Sequence, residues 1–139
     1  GPWYHHSWKG QSAKSGGVAM NIGIHFFDLL IWLFGPVSSA SVQTREHDRA
    51  RGKLELKRAD VSWGLSIRQD DLPPEAIRQG HHAYRQLTLG GDGFDFSSGF
   101  DDLHSHVYQR IVGGNGFGIT DARPSIELVH RLRTTPLSR

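Results

Sequence analysis

The strongest constraint on this chain is one stretch that is apolar on almost every side. Residues 16–35 open on Gly16-Gly17 and close on Gly35-Pro36, a strong helix stop. Between them lie Val18, Met20, Ile22, Ile24, Phe26, Phe27 and then Leu29 through Phe34 without a polar break. Asn21, His25 and Asp28 interrupt this run at spacings of four and then three, so on an α-helix they share one face. A helix this apolar is predicted to be buried, and a buried polar group without a partner costs about 1–3 kcal/mol. The stripe is therefore either a satisfied structural network or one wall of an active site. A histidine beside a carboxylate suits proton abstraction from an alcohol, because the imidazole titrates near neutrality. Gly17 and Gly23 leave room for something to approach.

The remaining bounds are broad. A chain of 139 residues can bury a core. An apolar content of 37% and a mean hydropathy of −0.45 fit a soluble globular domain. The net charge is +2, with basic residues scattered rather than clustered, so no nucleic-acid partner is implied. The absence of cysteine excludes disulfides, thiolate metal sites and a thiol nucleophile. The apolar helix nearly has the length to cross a bilayer, but His25 and Asp28 would be costly in lipid, so no membrane role is expected. No signal peptide is visible, and a cytoplasmic location is expected. Gly1-Pro2 reads as a cleavage scar from an expression tag, leaving residues 3–139 as one domain of a longer protein.

Residues 3–15 read as a loop or short strand, with Ser15 placed to cap the long helix. Alternation predicts a strand at 40–47, a turn at 49–52, a short strand around Leu54 and Leu56, and the clearest strand at Val61, Trp63, Leu65 and Ile67. Residues 68–82 read as a loop. A fourth strand at 84–89 and a short partner at 94–96 form a hairpin across a glycine turn. Phe100, Leu103, Val107 and Ile111 have helical spacing. A last helix is capped by Thr120 or Asp121, holds Pro124 in its first turn, and lines up Ile126, Val129 and Leu132. The fold class is α+β: an open, mostly antiparallel sheet with helices on one face. The other face then needs a cover, and a second subunit's sheet is one way to supply it.

Two tempting motifs fail on spacing. The glycines at 113–118 match neither dinucleotide nor P-loop patterns, and read as a flexible connection. The nine histidines show no metal-ligand spacing, so no metal is expected.

Ser7-Trp8-Lys9-Gly10, Ser15-Gly16-Gly17, the run from Asn21-Ile22-Gly23-Ile24-His25 through Asp28-Leu29-Leu30, and Phe34-Gly35 together resemble the start of the C-terminal domain of Gfo/Idh/MocA sugar oxidoreductases. Gly52 to Leu56, residues 59–66, Asp71-Leu72-Pro73, Tyr84-Arg85, residues 96–104 and residues 118–123 resemble more closely the branch that oxidises the 3-hydroxyl of UDP-N-acetylglucosaminuronate in lipopolysaccharide O-antigen synthesis. The resemblance spans nearly the whole chain. It implies a Rossmann domain binding NAD, and a lysine in a Glu-Lys-Pro motif; neither is in this sequence. It makes this chain the substrate-binding and oligomerisation domain of a nucleotide-sugar dehydrogenase, inactive alone and without a cofactor of its own.

By the same resemblance His25 is the catalytic residue facing the reacting hydroxyl. Hydride leaves the adjacent carbon for the nicotinamide, and the proton goes to His25 or to that lysine. Asn21 stands where the wider family often has Asp, which fits a substrate or positioning ligand better than a proton acceptor. Lys9 is a cation for the sugar carboxylate or a phosphate, with Trp8, Ser15 and Arg123 as further substrate contacts, and with Asp28 and Gly17 in support. For Lys9, Trp8, Ser15 and Arg123 a surface or packing role is at least as common as a site role. The resemblance also implies a homo-oligomer formed through the open sheet face, with Trp63 or its alternate neighbours on that face. The competing class is a stand-alone sheet-mediated dimerisation or ligand-binding module that kept the domain without the chemistry.

Overall fold

The computed structural model describes residues 6–8, 11–89, 91–95 and 103–138, with the side chains at 12, 13, 103 and 104 excepted. The chain divides into two compact units, Gly1–Arg68 with Ile119–Arg139, and Gln69–Gly118.

The first unit is built on the apolar run. After a short helix α1 (Ser12–Ser15), residues 17–34 are continuously helical, but not uniformly so. Ala19–Gly23 form a π-turn, and α2 follows over Ile24–Phe34. Gly35, at φ 87°, donates its N–H to the Ile31 carbonyl at 2.8 Å and ends the helix where Pro36 forbids its continuation.

Three antiparallel strands follow in the order β1 (Val37–Arg45), β2 (Arg49–Leu56), β3 (Ala59–Ser66). On β2, Ala50, Gly52, Leu54 and Leu56 are buried while Arg51, Lys53 and Glu55 are exposed, which is the alternation of a sheet covered on one side. Leu54 pairs with Ala40 and Val61, and Gly52 with Val42 and Trp63. The last helix, α5 (Ile119–Thr134), packs against α2, the π-turn and β1. The core is therefore Phe27 and Leu30 from α2, Val42 and Leu54 from the sheet, and Leu128, Val129 and Leu132 from α5. Phe27 meets Trp63 edge to face, with ring centroids 5.2 Å apart and planes at 84°, a contact worth about 0.5–1.5 kcal/mol beyond its buried area.

Two polar devices finish this unit. The β1 register shifts between Val42 and Thr44, and beyond the shift Arg45 donates to the carbonyls of Arg133 and Thr135 at the C-terminal end of α5. Those carbonyls lack helical partners, and a cation there also suits the helix dipole. Ser138 donates its N–H to Val42 O at 2.8 Å, so the chain's last described residues lie along the β1 edge. At the adjoining β1–β2 turn, Arg68 grips Asp48 with Nε at 2.6 Å and Nη2 at 3.0 Å, and reaches Glu46 at 2.9 Å. Arg49 holds the same Glu46 through two bonds of 3.1 Å.

The second unit holds a 3₁₀ turn (Gln69–Asp71), helix α3 (Pro74–Arg78), the hairpin β4 (Gln86–Leu89) and β5 (Asp92–Asp95), and helix α4 (Leu103–Val112). Ala76 is buried, whereas Leu89, Phe94, Tyr108, Ile111, Val112 and Phe117 are exposed.

The α+β class holds, and several sequence expectations need correction. Residues 49–52 are not a turn but the start of β2. Ala50 and Gly52 are small because they face inward, and Gly52 lies opposite the Trp63 ring. The predicted fourth and fifth strands form a separate two-stranded sheet rather than extending the first. The loop predicted at 68–82 contains a 3₁₀ turn and a short helix, with Pro74 in the helical position that tolerates it. The last helix starts at Ile119, so Thr120 and Asp121 lie inside its first turn and Pro124 in its second. Trp63 points into the core, against Phe27. The open face of the sheet instead carries Arg51, Lys53, Glu55, Asp60, Ser62, Gly64 and Ser66.

A Cβ on Gly52 would lie 2.2 Å from Ser41 O and 2.7 Å from the Trp63 ring. Gly52→Ala should therefore destabilise by about 1–3 kcal/mol, measured by urea unfolding; an unchanged midpoint would contradict this packing. The guanidinium of Arg68 holds the Asp48 carboxyl below its ordinary value of 3.8. The unfolded chain thus binds this proton more readily, so the stabilisation is complete above that value and fades as pH falls through the folded one. The stability gap between wild type and Arg68→Met should be widest near neutrality and should narrow below about pH 4, as urea midpoints across pH would report.

Candidate functional site

The long helix begins with a backbone that is held in place by side chains. Gly16 and Gly17 both have positive φ, 80° and 76°, a conformation that costs other residues strain. The Gly17 N–H donates to Ser15 Oγ at 3.1 Å, and the Gly17 carbonyl accepts from Asn21 Nδ2 at 3.1 Å. Both polar groups of one peptide position are thus captured, one from before the helix and one from within its first turns. Ser15 is buried and satisfies a first-turn N–H that has no helical partner, the capping role anticipated for it.

The π-turn changes the geometry of the stripe. In an α-helix four residues overshoot one 3.6-residue turn. A π-turn holds more residues per turn, so Asn21 and His25 come closer to vertical alignment. From His25 the α-helical spacing carries the stripe on to Asp28 and Trp32. Asn21 is half-buried, while His25, Asp28 and Trp32 are exposed, Trp32 at 78%. The stripe is therefore not a set of polar groups buried in a greasy helix. It faces outward because the opposite side, Gly23, Phe27 and Leu30, is the buried one. The room anticipated at Gly23 is taken up by Leu65 and Phe27 of the fold itself.

The other sequence candidates disperse. Lys9 lies outside the described residues. Trp8 is exposed, and its carbonyl accepts from Gln11 N at 3.1 Å. Arg123 is exposed in the second turn of α5, past the free N–H groups of the helix start. A different arginine of α5 approaches the glycine pair. Arg133 Nη1 lies 3.3 Å from the position a Cβ on Gly16 would occupy. Periodicity gives no hint of this, because the approach depends on how α5 crosses the π-turn. Trp32 was equally invisible as a stripe member, since tryptophan in an apolar helix reads as core.

Among the described residues no three His, Asp or Glu side chains converge on a metal position, and no helix is long and apolar enough to cross a membrane. Dinucleotide binding of the Rossmann kind needs parallel strands feeding a glycine turn and a helix start. Every described strand pair is antiparallel, the one parallel contact being the isolated bridge of Val42 to Leu137. The glycines at 113–118 follow a helix rather than a strand. These residues do not form a dinucleotide site.

Residues 1–71 match the model of the Gfo/Idh/MocA oxidoreductase family, C-terminal alpha/beta domain, so the chain belongs to that family. Two crystal structures of the WlbA (WbpB) dehydrogenase from Thermus thermophilus are similar to it over its whole length. One, in complex with NAD and alpha-ketoglutarate, has 47% identity and a TM-score of 0.93. The other, in complex with NAD and UDP-GlcNAcA, has 46% identity and a TM-score of 0.93. The present chain spans 45% of each of those chains.

Because His25 and Asp28 are exposed, replacing either by Ala should move stability by less than about 0.5 kcal/mol. Phe27→Ala, on the opposite side of the same turns, should cost about 3–5 kcal/mol. Urea unfolding of the three variants checks both; a large loss on His25→Ala would mean the stripe belongs to the core.

Proposed function

We propose that residues 3–139 are the substrate-binding and oligomerisation domain of an NAD-dependent dehydrogenase that oxidises the 3-hydroxyl of UDP-N-acetylglucosaminuronate in lipopolysaccharide O-antigen biosynthesis, in the cytoplasm. The observation that carries the reading is the outward stripe of Asn21 and His25. It sits in a chain 46% identical along its full length to part of a dehydrogenase whose structure holds NAD and UDP-GlcNAcA.

The roles follow from position. His25, exposed at the start of α2, offers an imidazole nitrogen to the substrate hydroxyl and can accept its proton as the carbonyl forms. Asn21 is tied to Gly17 O through its amide nitrogen, which fixes the side chain for orienting the sugar rather than for accepting a proton. Asp28, one turn beyond His25, supports the imidazole electrostatically, and Trp32 continues the same face with a flat apolar surface. Ser15 and Gly17 hold the start of the helix. Trp8, Lys9 and Arg123 are the weaker substrate contacts of this reading. NAD belongs to residues outside this chain. A homo-oligomer through the open sheet face is supported by its mixed charge, Arg51 and Lys53 beside Glu55 and Asp60, which allows two copies to pair opposite signs.

The test uses the longer enzyme and this chain in parallel. In the enzyme, His25→Ala should lower turnover by about 10²- to 10⁴-fold, and Asn21→Ala should also remove most of it, with both variants folded by circular dichroism. Calorimetric titration of this chain should detect UDP-GlcNAcA and not NAD. Near-normal turnover in both variants, or NAD binding by this chain alone, would overturn the assignment.

A further inference from the structure

We infer that Arg133 is the residue that binds the anionic part of the ligand at this site, a carboxylate or phosphate presented beside Gly16. The inference rests on the nucleotide-sugar reading above and adds a residue that neither spacing nor motif singles out.

Three observations carry it. The first is place. Arg133 is in the last turn of α5, which packs on the π-turn, and its Nη1 lies 3.3 Å from where a Cβ on Gly16 would be. Gly16 is the neighbour of Gly17, whose carbonyl holds Asn21. The guanidinium therefore stands beside Gly16, one residue before the glycine that holds Asn21. The second is availability. Most charged groups near the ends of this sheet are already engaged: Arg45 by the α5 carbonyls, Arg49 by Glu46, Arg58 by Leu33 O, and Arg68 by Asp48 and Glu46. The Arg133 side chain has no hydrogen bond or ion pair among the described residues, although its own carbonyl is taken by Arg45. That carbonyl bond anchors the backbone from which the side chain extends. The third is chemistry. A uronate sugar linked to a diphosphate carries two kinds of planar or tetrahedral oxyanion, and guanidinium binds both through paired N–H donors.

Arg123, the α5 arginine singled out by its place near a helix start, is a poor alternative. It lies ten residues earlier on the same helix, about 15 Å along the axis. A side chain on Gly16 would itself meet Met20 Cβ at 2.7 Å, so the gap beside Arg133 is one that only glycine leaves open.

Calorimetric titrations of this chain with UDP-GlcNAcA, UDP-GlcNAc and UDP, in wild type, Arg133→Gln, Arg133→Lys and Arg78→Gln, test the assignment. Arg133→Gln should weaken UDP-GlcNAcA binding by about 10- to 100-fold, Arg133→Lys should recover part of this, and Arg78→Gln, at an exposed arginine paired with Glu75, should bind as wild type. If the carboxylate is the partner, the loss disappears with UDP-GlcNAc; if the diphosphate is, the loss is the same for all three ligands. Wild-type affinity in Arg133→Gln overturns the assignment. Should wild type bind no nucleotide sugar, the reading of function fails, and Arg133 is judged separately. Its Nε–H resonance should then shift on adding inorganic pyrophosphate or glucuronate, and a resonance unmoved by either overturns it.

Discussion

Everything about the outward stripe depends on how the opposite side of the same helix is buried. The apolar run cannot hide all its faces at once in a unit of this size. Phe27 and Leu30 take the sheet and α5 as their cover, with the Trp63 ring edge-on to Phe27. That choice settles the rotation of the helix about its axis. The residues half a turn away, His25, Asp28 and Trp32, are then left facing out. The polar residues of this helix are not a cost the fold tolerates in its core. They are on the surface because large apolar side chains win the competition for the interior.

The start of the helix adds a finer adjustment. Packing alone gives a helix a face, but the relation between Asn21 and His25 is set by the π-turn between them. A π-turn is rarely stable by itself and is frequent at functional sites. Here it sits directly after a backbone position whose N–H and C=O are both bound by side chains, from Ser15 and from Asn21. Asn is suited to this bond and Asp is not, since an ionised carboxylate has no proton to donate to the Gly17 carbonyl. The amide at residue 21 thus has a local physical reason.

How much of this was legible in the sequence varied with the range of the interactions. The long helix, its stop at Gly35-Pro36 and strand β3 were readable because local periodicity and turn chemistry specify them. The first half of β2 was not, because its inward residues, Ala50 and Gly52, are small to accommodate Ser41 and Trp63 from the neighbouring strands. Alternation of large apolar residues cannot report a strand whose inner side is made of gaps. The inward direction of Trp63 was missed for a related reason: period-two alternation shows that one face differs from the other, not which of them meets the helices. Among the candidate site residues, Asn21, His25 and Asp28 were singled out by spacing, and they do lie along one side of the helix. Their exposure was misjudged, since an apolar helix reads as buried on all sides.

The clustering of charge at the β1–β2 turn end of the sheet separates structure from function in this unit. At the hairpin end, Arg68 and Arg49 are saturated by Glu46 and Asp48, and such a closed network has little left to offer a ligand. At the same end, Arg45, the last residue of β1, spends its donors on the carbonyls that finish α5. That leaves the helix terminus satisfied without help from Arg133, whose side chain would otherwise be a natural cap for the same carbonyls. An arginine relieved of the capping task, and placed beside a glycine pair that carries no side chains to block it, is available for an anion. The helix end thus meets two arginines with separate tasks: Arg45 of β1 holds its carbonyls, and Arg133 of its own last turn extends a positive charge beside Gly16.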